Sequence, residues 1–226
     1  MSGAEALIRW NSRKYGFIGP NTFIPLLEDS ALIIPLGRWI INTAAKACNR
    51  WITSIPDFVM HINLSFVQIV KSNIVKDVLE NIERYSAANN HYVFEITETI
   101  EMDQIPAVQN VFKEFVKNEF RFAIDDFGTG YSNYGYMRDR TFDIVKVDRS
   151  FVTDIDKLKD NYLMVSFIIK MAHEMGLHVC IEGVETKEEL SCVKKLGADY
   201  IQGYYYGKPV CLQDFEEQHL KRFVLG

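Results

Sequence analysis

The sequence predicts an α/β fold with a parallel sheet, and two observations lead to that prediction. Seven short apolar runs, rich in β-branched and aromatic residues, alternate with segments of helical periodicity along the 226 residues. Polar residues interrupt or end nearly every run and do not cluster at one switch point. Because site residues at many successive strand ends are typical of a barrel, we favour a modified TIM-type (β/α)8 barrel over an open doubly wound sheet.

The strands are predicted from runs that are either alternating or continuously apolar. Alternation in the first run places Glu5 and Arg9 on one face, and in the second run it places His61 and Asn63 on one face. Glu95 interrupts the third run, which is otherwise apolar. The predicted strands are 6–10, 58–66, 91–97, 120–124, 143–148, 178–185 and 200–204.

The helices are predicted from apolar residues that recur at spacings of three and four. In the helix over 161–175, the predicted buried face consists of Met164, Phe167, Ile168, Met171 and Met175. Gly176 and Gly197 follow helical segments and are natural C-terminal stops. The predicted helices are 23–27, 36–51, 74–85, 108–115, 131–138, 161–175 and 190–196, with one more after Asp214.

Composition limits which binding partners and which cellular compartment we expect for this chain. A net charge of −5 and a pI near 5.6 do not favour a nucleic-acid polymer or an anionic membrane as partner. The four cysteines show no Cys-x-x-Cys spacing, so we expect reduced thiols in a cytoplasmic protein. We expect no membrane-spanning run and no signal peptide within this sequence.

Two adjacent carboxylates, Asp125 and Asp126, follow the fourth predicted strand and precede Phe127-Gly128-Thr129-Gly130. Neighbouring anions repel unless a cation lies between them, and the glycines allow the sharp turn that a divalent-cation site needs. A solvated Asp-Asp turn is the alternative interpretation of this motif taken alone.

Polar residues at the other strand ends favour the cation site. If four or more carboxylates converge at one barrel mouth, their repulsion requires hard cations, and oxygen ligands suit Mg²⁺ or Mn²⁺. Two ions fit the number of ligands better than one, and a two-metal site activates water for in-line attack on a phosphodiester. The strand-end polar residues are Glu5, Arg9, Asn63, Glu95, Asp125, Asp126, Lys146, Glu182, Glu185 and Gln202.

Several of these residues have more than one interpretation. Arg9 is placed to meet a phosphate oxygen, and Lys146 either orients water or pairs with Asp148 two residues further on. A Schiff-base role for Lys146 is disfavoured because surrounding carboxylates raise the pKa of an amine. Glu98 either serves the site or caps the next helix. The tyrosines at 204–206 either stack on a base or pack, and the five histidines follow no ligand spacing.

Seven ordered motifs resemble those of the EAL-domain cyclic di-GMP phosphodiesterases. The resemblance implies a modified TIM barrel that hydrolyses cyclic di-GMP to linear pGpG with Mg²⁺ or Mn²⁺. The motifs begin with Glu5-Ala6-Leu7, Asn63-Leu64-Ser65, Glu95-Ile96-Thr97-Glu98, Asp125-Asp126-Phe127-Gly128, Lys146-Val147-Asp148, Glu182-Gly183-Val184-Glu185 and Gln202-Gly203-Tyr204.

The same resemblance implies roles for individual residues. Lys146 would touch the attacking water, Glu182 would be the general base, and Arg9 would contact substrate phosphate. Glu98 would secure the loop after the aspartate pair. The metal ligands it implies are Glu5, Asn63, Glu95 and Asp125 for one ion and Asp125, Asp126 and Glu182 for the second; Glu185, Gln202 and Tyr204 would support the site or the substrate.

One departure from the family pattern concerns the start of the chain. The family's first strand, which runs antiparallel, has no counterpart here, so we expect a single EAL-type domain over 1–226 that is N-terminally incomplete. We expect a parent protein with sensory or GGDEF-type domains, and a homodimer. A non-catalytic cyclic di-GMP binding or scaffold module is the alternative function, since the incomplete barrel would bind the nucleotide but hydrolyse it poorly.

Overall fold

The computed structural model describes residues 2–97, 106–129 and 141–220, which form alternating strands and helices. The strands are β1 (Gly3–Ala6), β2 (Trp10–Ser12), β3 (Gly16–Ile18), β4 (Val59–Asn63), β5 (Tyr92–Thr97), β6 (Arg121–Phe127), β7 (Ile144–Val147), β8 (His178–Ile181) and β9 (Tyr200–Ile201). The helices are α1 (Pro20–Asp29), α2 (Ile33–Trp51), α3 (Phe66–Lys71), α4 (Ile74–Ile82), α5 (Pro106–Lys117), α6 (Lys159–Glu174), α7 (Lys187–Leu196) and α8 (Leu212–Phe215).

The chain forms two compact units, the first comprising Met1–Glu95, Ile105–Arg121 and Val210–Gly226. In this unit β4 pairs in parallel with β1 on one side and with β5 on the other. Phe94 of β5 lies in the core, where its ring packs edge-on against Phe115 of α5 and against Phe120. Burial of these large rings stabilises this core.

The second unit comprises Ile96–Gln104 and Phe122–Pro209. Its strands β6, β7, β8 and β9 pair in parallel in sequence order. β7 is buried at all four positions, as expected for a parallel strand covered on both faces. Helix α7 begins with a capping box between Thr186 and Glu189 and ends at Gly197, whose φ of 89° is the left-handed C-terminal stop that the sequence predicted.

The seven predicted strands are all present as β1 and β4 to β9, and each pairs in parallel with a neighbour. This confirms the α/β class. The antiparallel hairpin formed by β2 and β3 was not predicted. The first strand lies nearer the N-terminus than predicted. β1 ends at Ala6, where its register with β4 ends, so Leu7 and Arg9 lie outside it.

The predicted buried face of α6 is only partly right. Ile168 is buried as predicted, whereas Met164 is 46% exposed and Phe167 is 56% exposed. Val165, Ile169 and Ala172, which were not predicted, are buried as well. The helix carries apolar residues on two adjacent stripes, and spacing alone does not say which of them faces the sheet. The helix predicted over 131–138 lies outside the described residues.

Candidate active site

A bulge in β6 sets the geometry of the aspartate pair. The register with β7 moves from Ile124 opposite Val145 to Phe127 opposite Val147, so three steps on β6 match two on β7. Asp126 takes up the extra residue with a φ of 54°, in the left-handed region. Successive side chains of a regular strand point to opposite faces, and the bulge breaks that alternation between Asp125 and Asp126.

Three carboxylates converge beside the bulge. Ligand oxygens of Asp125, Asp126 and Glu182 all lie within 4.8 Å of one another. Asp125 is 9% exposed, and its buried Oδ1 has no hydrogen-bond partner among the described residues. Because converging anionic oxygens repel, this all-oxygen group fits a hard divalent cation.

Lys146 is the cation that the chain itself supplies to this group. Its side chain is 1% exposed, and Nζ lies 2.9 Å from Asp125 Oδ1 and 2.8 Å from Glu182 Oε1. The approach to Asp125 Oδ1 does not have hydrogen-bond angles, so that contact is ionic. Asp148, the alternative partner in the sequence, accepts from the Ser150 N–H at 2.9 Å. The structure therefore favours the site interpretation of Lys146.

The loop after β8 holds Glu182 close to the end of β7. The Glu182 N–H donates to Val147 O at 3.1 Å, which continues the strand pairing by one residue. Gly183 follows with a φ of 71°, and a Cβ there would overlap the Cβ of Arg149. Glycine is needed at this position both for its conformation and for its lack of a side chain.

Glu189 anchors the same loop from helix α7. Its Oε2 accepts from the Glu185 and Thr186 N–H groups at 2.9 and 3.0 Å, and its Oε1 accepts from the Asp154 N–H at 3.1 Å. Burial opposes ionisation of this carboxyl, but the backbone donors outweigh it and hold the pKa of Glu189 below its ordinary value. Sequence analysis missed this role, although the spacing of Thr186 and Glu189 is a capping-box signal.

A second polar group lies in the first unit, at the ends of β1, β4 and β5. Asn63 Nδ2 donates to Glu5 Oε1 at 2.6 Å, and His61 Nδ1 lies 2.7 Å from Glu95 Oε1. Glu95 is 1% exposed, whereas Glu5 is half-buried and Asn63 is exposed. Glu5, Asn63 and Glu95 were predicted from the sequence as site residues, whereas His61 was not, because the histidines follow no ligand spacing. The signal that was available is its position on the same strand face as Asn63.

Three further predicted residues, Arg9, Tyr204 and Glu185, have no described contact with either carboxylate group. Arg9 is exposed, and its Nη1 donates to the neighbouring Ile8 O at 2.9 Å. Tyr204 is exposed, and Lys208 Nζ lies 5.4 Å from its ring centroid. Gln202 and Glu185 also have exposed side chains. Glu98 lies outside the described residues.

These features define a parallel α/β protein with acidic strand ends whose oxygens could hold a cation. The family model of the EAL domain matches residues 1–209, and the chain belongs to the EAL domain family. It is 31% identical over 211 residues to the bifunctional diguanylate cyclase/cyclic di-GMP phosphodiesterase MucR of Pseudomonas aeruginosa, covering 93% of this chain and 31% of MucR. It is 32% identical over 213 residues to the cyclic di-GMP phosphodiesterase PdeL of Escherichia coli, covering 93% of this chain and 58% of PdeL.

Solved structures show the same fold. The MucR phosphodiesterase in complex with cyclic di-GMP matches with a TM-score of 0.89 at 30% identity, covering 95% of this chain and 87% of that one. The EAL enzyme Bd1971, bound to cAMP and cyclic di-GMP, matches with a TM-score of 0.90 at 36% identity, covering 96% and 60%. The predicted fold class is thereby confirmed.

Among the described residues, no helix combines the length and the apolar character that crossing a bilayer requires.

Proposed function

We propose that this chain hydrolyses cyclic di-GMP to linear pGpG in a reaction that depends on divalent cations. The observation that carries the proposal is the group of three carboxylate residues, Asp125, Asp126 and Glu182, with Lys146 buried between two of them. Membership of the EAL domain family supports it, as does similarity to MucR and PdeL, whose names state this phosphodiesterase activity.

We propose two bound ions, Mg²⁺ or Mn²⁺. One would be held by Asp125, Asp126 and Glu182, whose ligand atoms lie within 4.8 Å of one another. The other would be held by Glu5, Asn63 and Glu95 at the strand ends of the first unit. When bound, such ions neutralise phosphate charge and make water a better nucleophile near neutral pH.

The roles of the side chains follow from their chemistry. Glu182 accepts the proton of the attacking water, and Lys146, held 2.8 Å from its Oε1, keeps that carboxylate oriented and offsets charge that develops on the phosphate. Arg9 is exposed and extends a guanidinium that suits a phosphate oxygen. Gln202 and Tyr204 contact the substrate, and Glu98 and Glu185 support the loops of the site.

We propose further that the chain acts as one EAL domain of a larger regulatory protein. It spans 31% of MucR, whose name includes a diguanylate cyclase activity, and 58% of PdeL. A parent with sensory or GGDEF-type parts and a homodimeric state fit this organisation. The four cysteines are free, two of them buried, which fits a reducing cytoplasmic compartment.

Chromatography of nucleotide products tests the proposal. The purified chain is incubated with cyclic di-GMP in the presence of Mg²⁺, Mn²⁺ or EDTA, beside Asp125→Asn and the exposed control Asp156→Asn. We expect metal-dependent pGpG from the wild type and the control, and none from Asp125→Asn. Turnover that survives in EDTA or in Asp125→Asn would overturn the proposal. Tight binding of cyclic di-GMP without product would define a receptor instead.

A further inference from the structure

Glu95 of β5 is the most deeply buried carboxylate in the polar group of the first unit. Its side chain has no exposed surface, and His61 Nδ1 lies 2.7 Å from its Oε1. The His61 side chain is itself only 18% exposed. A carboxylate that holds a cation is ionised and only accepts hydrogen bonds, so in that state the imidazole carries its proton on Nδ1 and donates it to Glu95.

The contact between His61 and Glu95 is diagonal across the sheet. In the register of the strands, His61 lies opposite Glu5, and Asn63 lies opposite Glu95. The side-chain contacts are nevertheless formed between diagonal neighbours. Asn63 Nδ2 donates to Glu5 Oε1 at 2.6 Å, and His61 Nδ1 lies 2.7 Å from Glu95 Oε1. Two residues on one face of β4 thus orient one carboxylate on each flanking strand.

We propose that His61 is a positioning residue for the cation held by Glu95, an inference that rests on the function proposed above. A glutamate has three rotatable side-chain bonds, and the ordering of such a side chain costs free energy that a bound ion must otherwise offset. A donated hydrogen bond restricts the carboxylate before the ion arrives. Removal of an outer hydrogen-bond partner of a metal ligand typically weakens metal binding by about 10- to 100-fold.

Direct Mn²⁺ binding tests this inference without any turnover. Free Mn²⁺ is titrated by electron paramagnetic resonance against the whole chain, with thermal unfolding recorded in EDTA for each variant. His61→Phe keeps a ring of similar size but removes both ring nitrogens. His61→Asn restores an amide donor near the position of Nδ1. His61→Leu carries the same comparison if His61→Phe does not fold.

His91 offers a matched control in the same unit. Its Nδ1 lies 2.7 Å from the backbone carbonyl of Phe58, so it makes a comparable hydrogen bond with no carboxylate involved. We expect His61→Phe to weaken the affected Mn²⁺ site by about tenfold or more. His61→Asn should bind within about threefold of the wild type, since it keeps the donor, and His91→Phe should bind like the wild type whatever its effect on Tm.

The outcomes separate this inference from the proposed function. If the wild type binds Mn²⁺ and His61→Phe or His61→Leu binds it equally well, the positioning role is wrong while the metal centre stands. If His91→Phe weakens binding as much as His61→Phe, the effect is a general loss of structure and the inference also fails. If the wild type binds no Mn²⁺, both the metal centre and the role of His61 are wrong.

Discussion

Lys146 Nζ lies 2.9 Å from Asp125 Oδ1 at a position where the lysine is 1% exposed. A buried ammonium is costly unless anions surround it, and the second contact, 2.8 Å to Glu182 Oε1, supplies another negative charge. In the protein without metal, the charge of this lysine therefore offsets the repulsion between the two carboxylates. Bound cations would offset it as well.

Replacement of Lys146 by methionine should destabilise the metal-free chain strongly. Loss of one partner from a buried ion pair costs about 3–5 kcal/mol, because the remaining charges are left uncompensated. We expect the Tm in EDTA to fall and Mn²⁺ to restore more of it than it adds to the wild type. Lys157→Met removes an exposed lysine paired with Asp154 at 2.6 Å and should leave Tm unchanged. An unchanged Tm for Lys146→Met in EDTA would contradict this account.

Asp126 has a left-handed backbone, with a φ of 54°, that only some residues tolerate. Asp126→Asn removes the charge but keeps the backbone conformation, which asparagine adopts readily, so it is the reference for the next variant. Asp126→Val should cost about 1–2 kcal/mol more, because a β-branched side chain crowds the carbonyl there. Urea unfolding in EDTA measures both values. Equal stability of the two variants would argue against a left-handed backbone conformation at Asp126.

Glu189 makes stability depend on pH in the acidic range. Burial opposes its ionisation, but donated backbone hydrogen bonds hold its folded-state pKa below the ordinary value of 4.5. The contribution is therefore fully present above about pH 4.5 and is lost as pH falls through the folded pKa. Glu189→Gln should cost about 1–3 kcal/mol at pH 7 and flatten the decline of stability below pH 4.5.

Glu188→Gln is the matched control for that measurement. Glu188 lies in the same first turn of α7 but is exposed. Its replacement should leave both the stability at pH 7 and the acid dependence close to those of the wild type. If the two glutamine variants lose stability in parallel, the backbone contacts of Glu189 do not have the proposed effect.

Alanine substitutions at Gly183 and Gly176 distinguish conformational strain from steric overlap. Both have positive φ, 71° and 79°, but an added Cβ at Gly183 meets Arg149 whereas one at Gly176 meets nothing within 4 Å. Gly176→Ala should cost about 1 kcal/mol, the strain of a left-handed alanine. Gly183→Ala should cost at least about twice as much, on the order of 2–4 kcal/mol, and shift the loop that carries Glu182. Chemical denaturation of both variants checks the difference.

Much of the fold could be predicted because the relevant signals are local. Runs of β-branched and aromatic residues predicted β5 and β7, and Gly197 predicted the end of α7. The short hairpin of β2 and β3 was missed, since three-residue strands carry too little periodicity to detect. The buried stripe of α6 was predicted only in part for a related reason: hydrophobicity is a local property, whereas burial depends on what packs against the helix.

The same distinction between local signals and tertiary contacts applies to the candidate site. The candidate chemistry could be predicted, because oxygen-bearing side chains at Glu95, Asp125 and Glu182 interrupt or follow apolar runs along the chain. Which atoms meet could not be predicted, since that depends on the folded chain. The bulge at Asp126, the position of Lys146 between two carboxylates and the diagonal contact of His61 with Glu95 all depend on strand register. Register joins residues that are far apart in the chain, so no local pattern contains it.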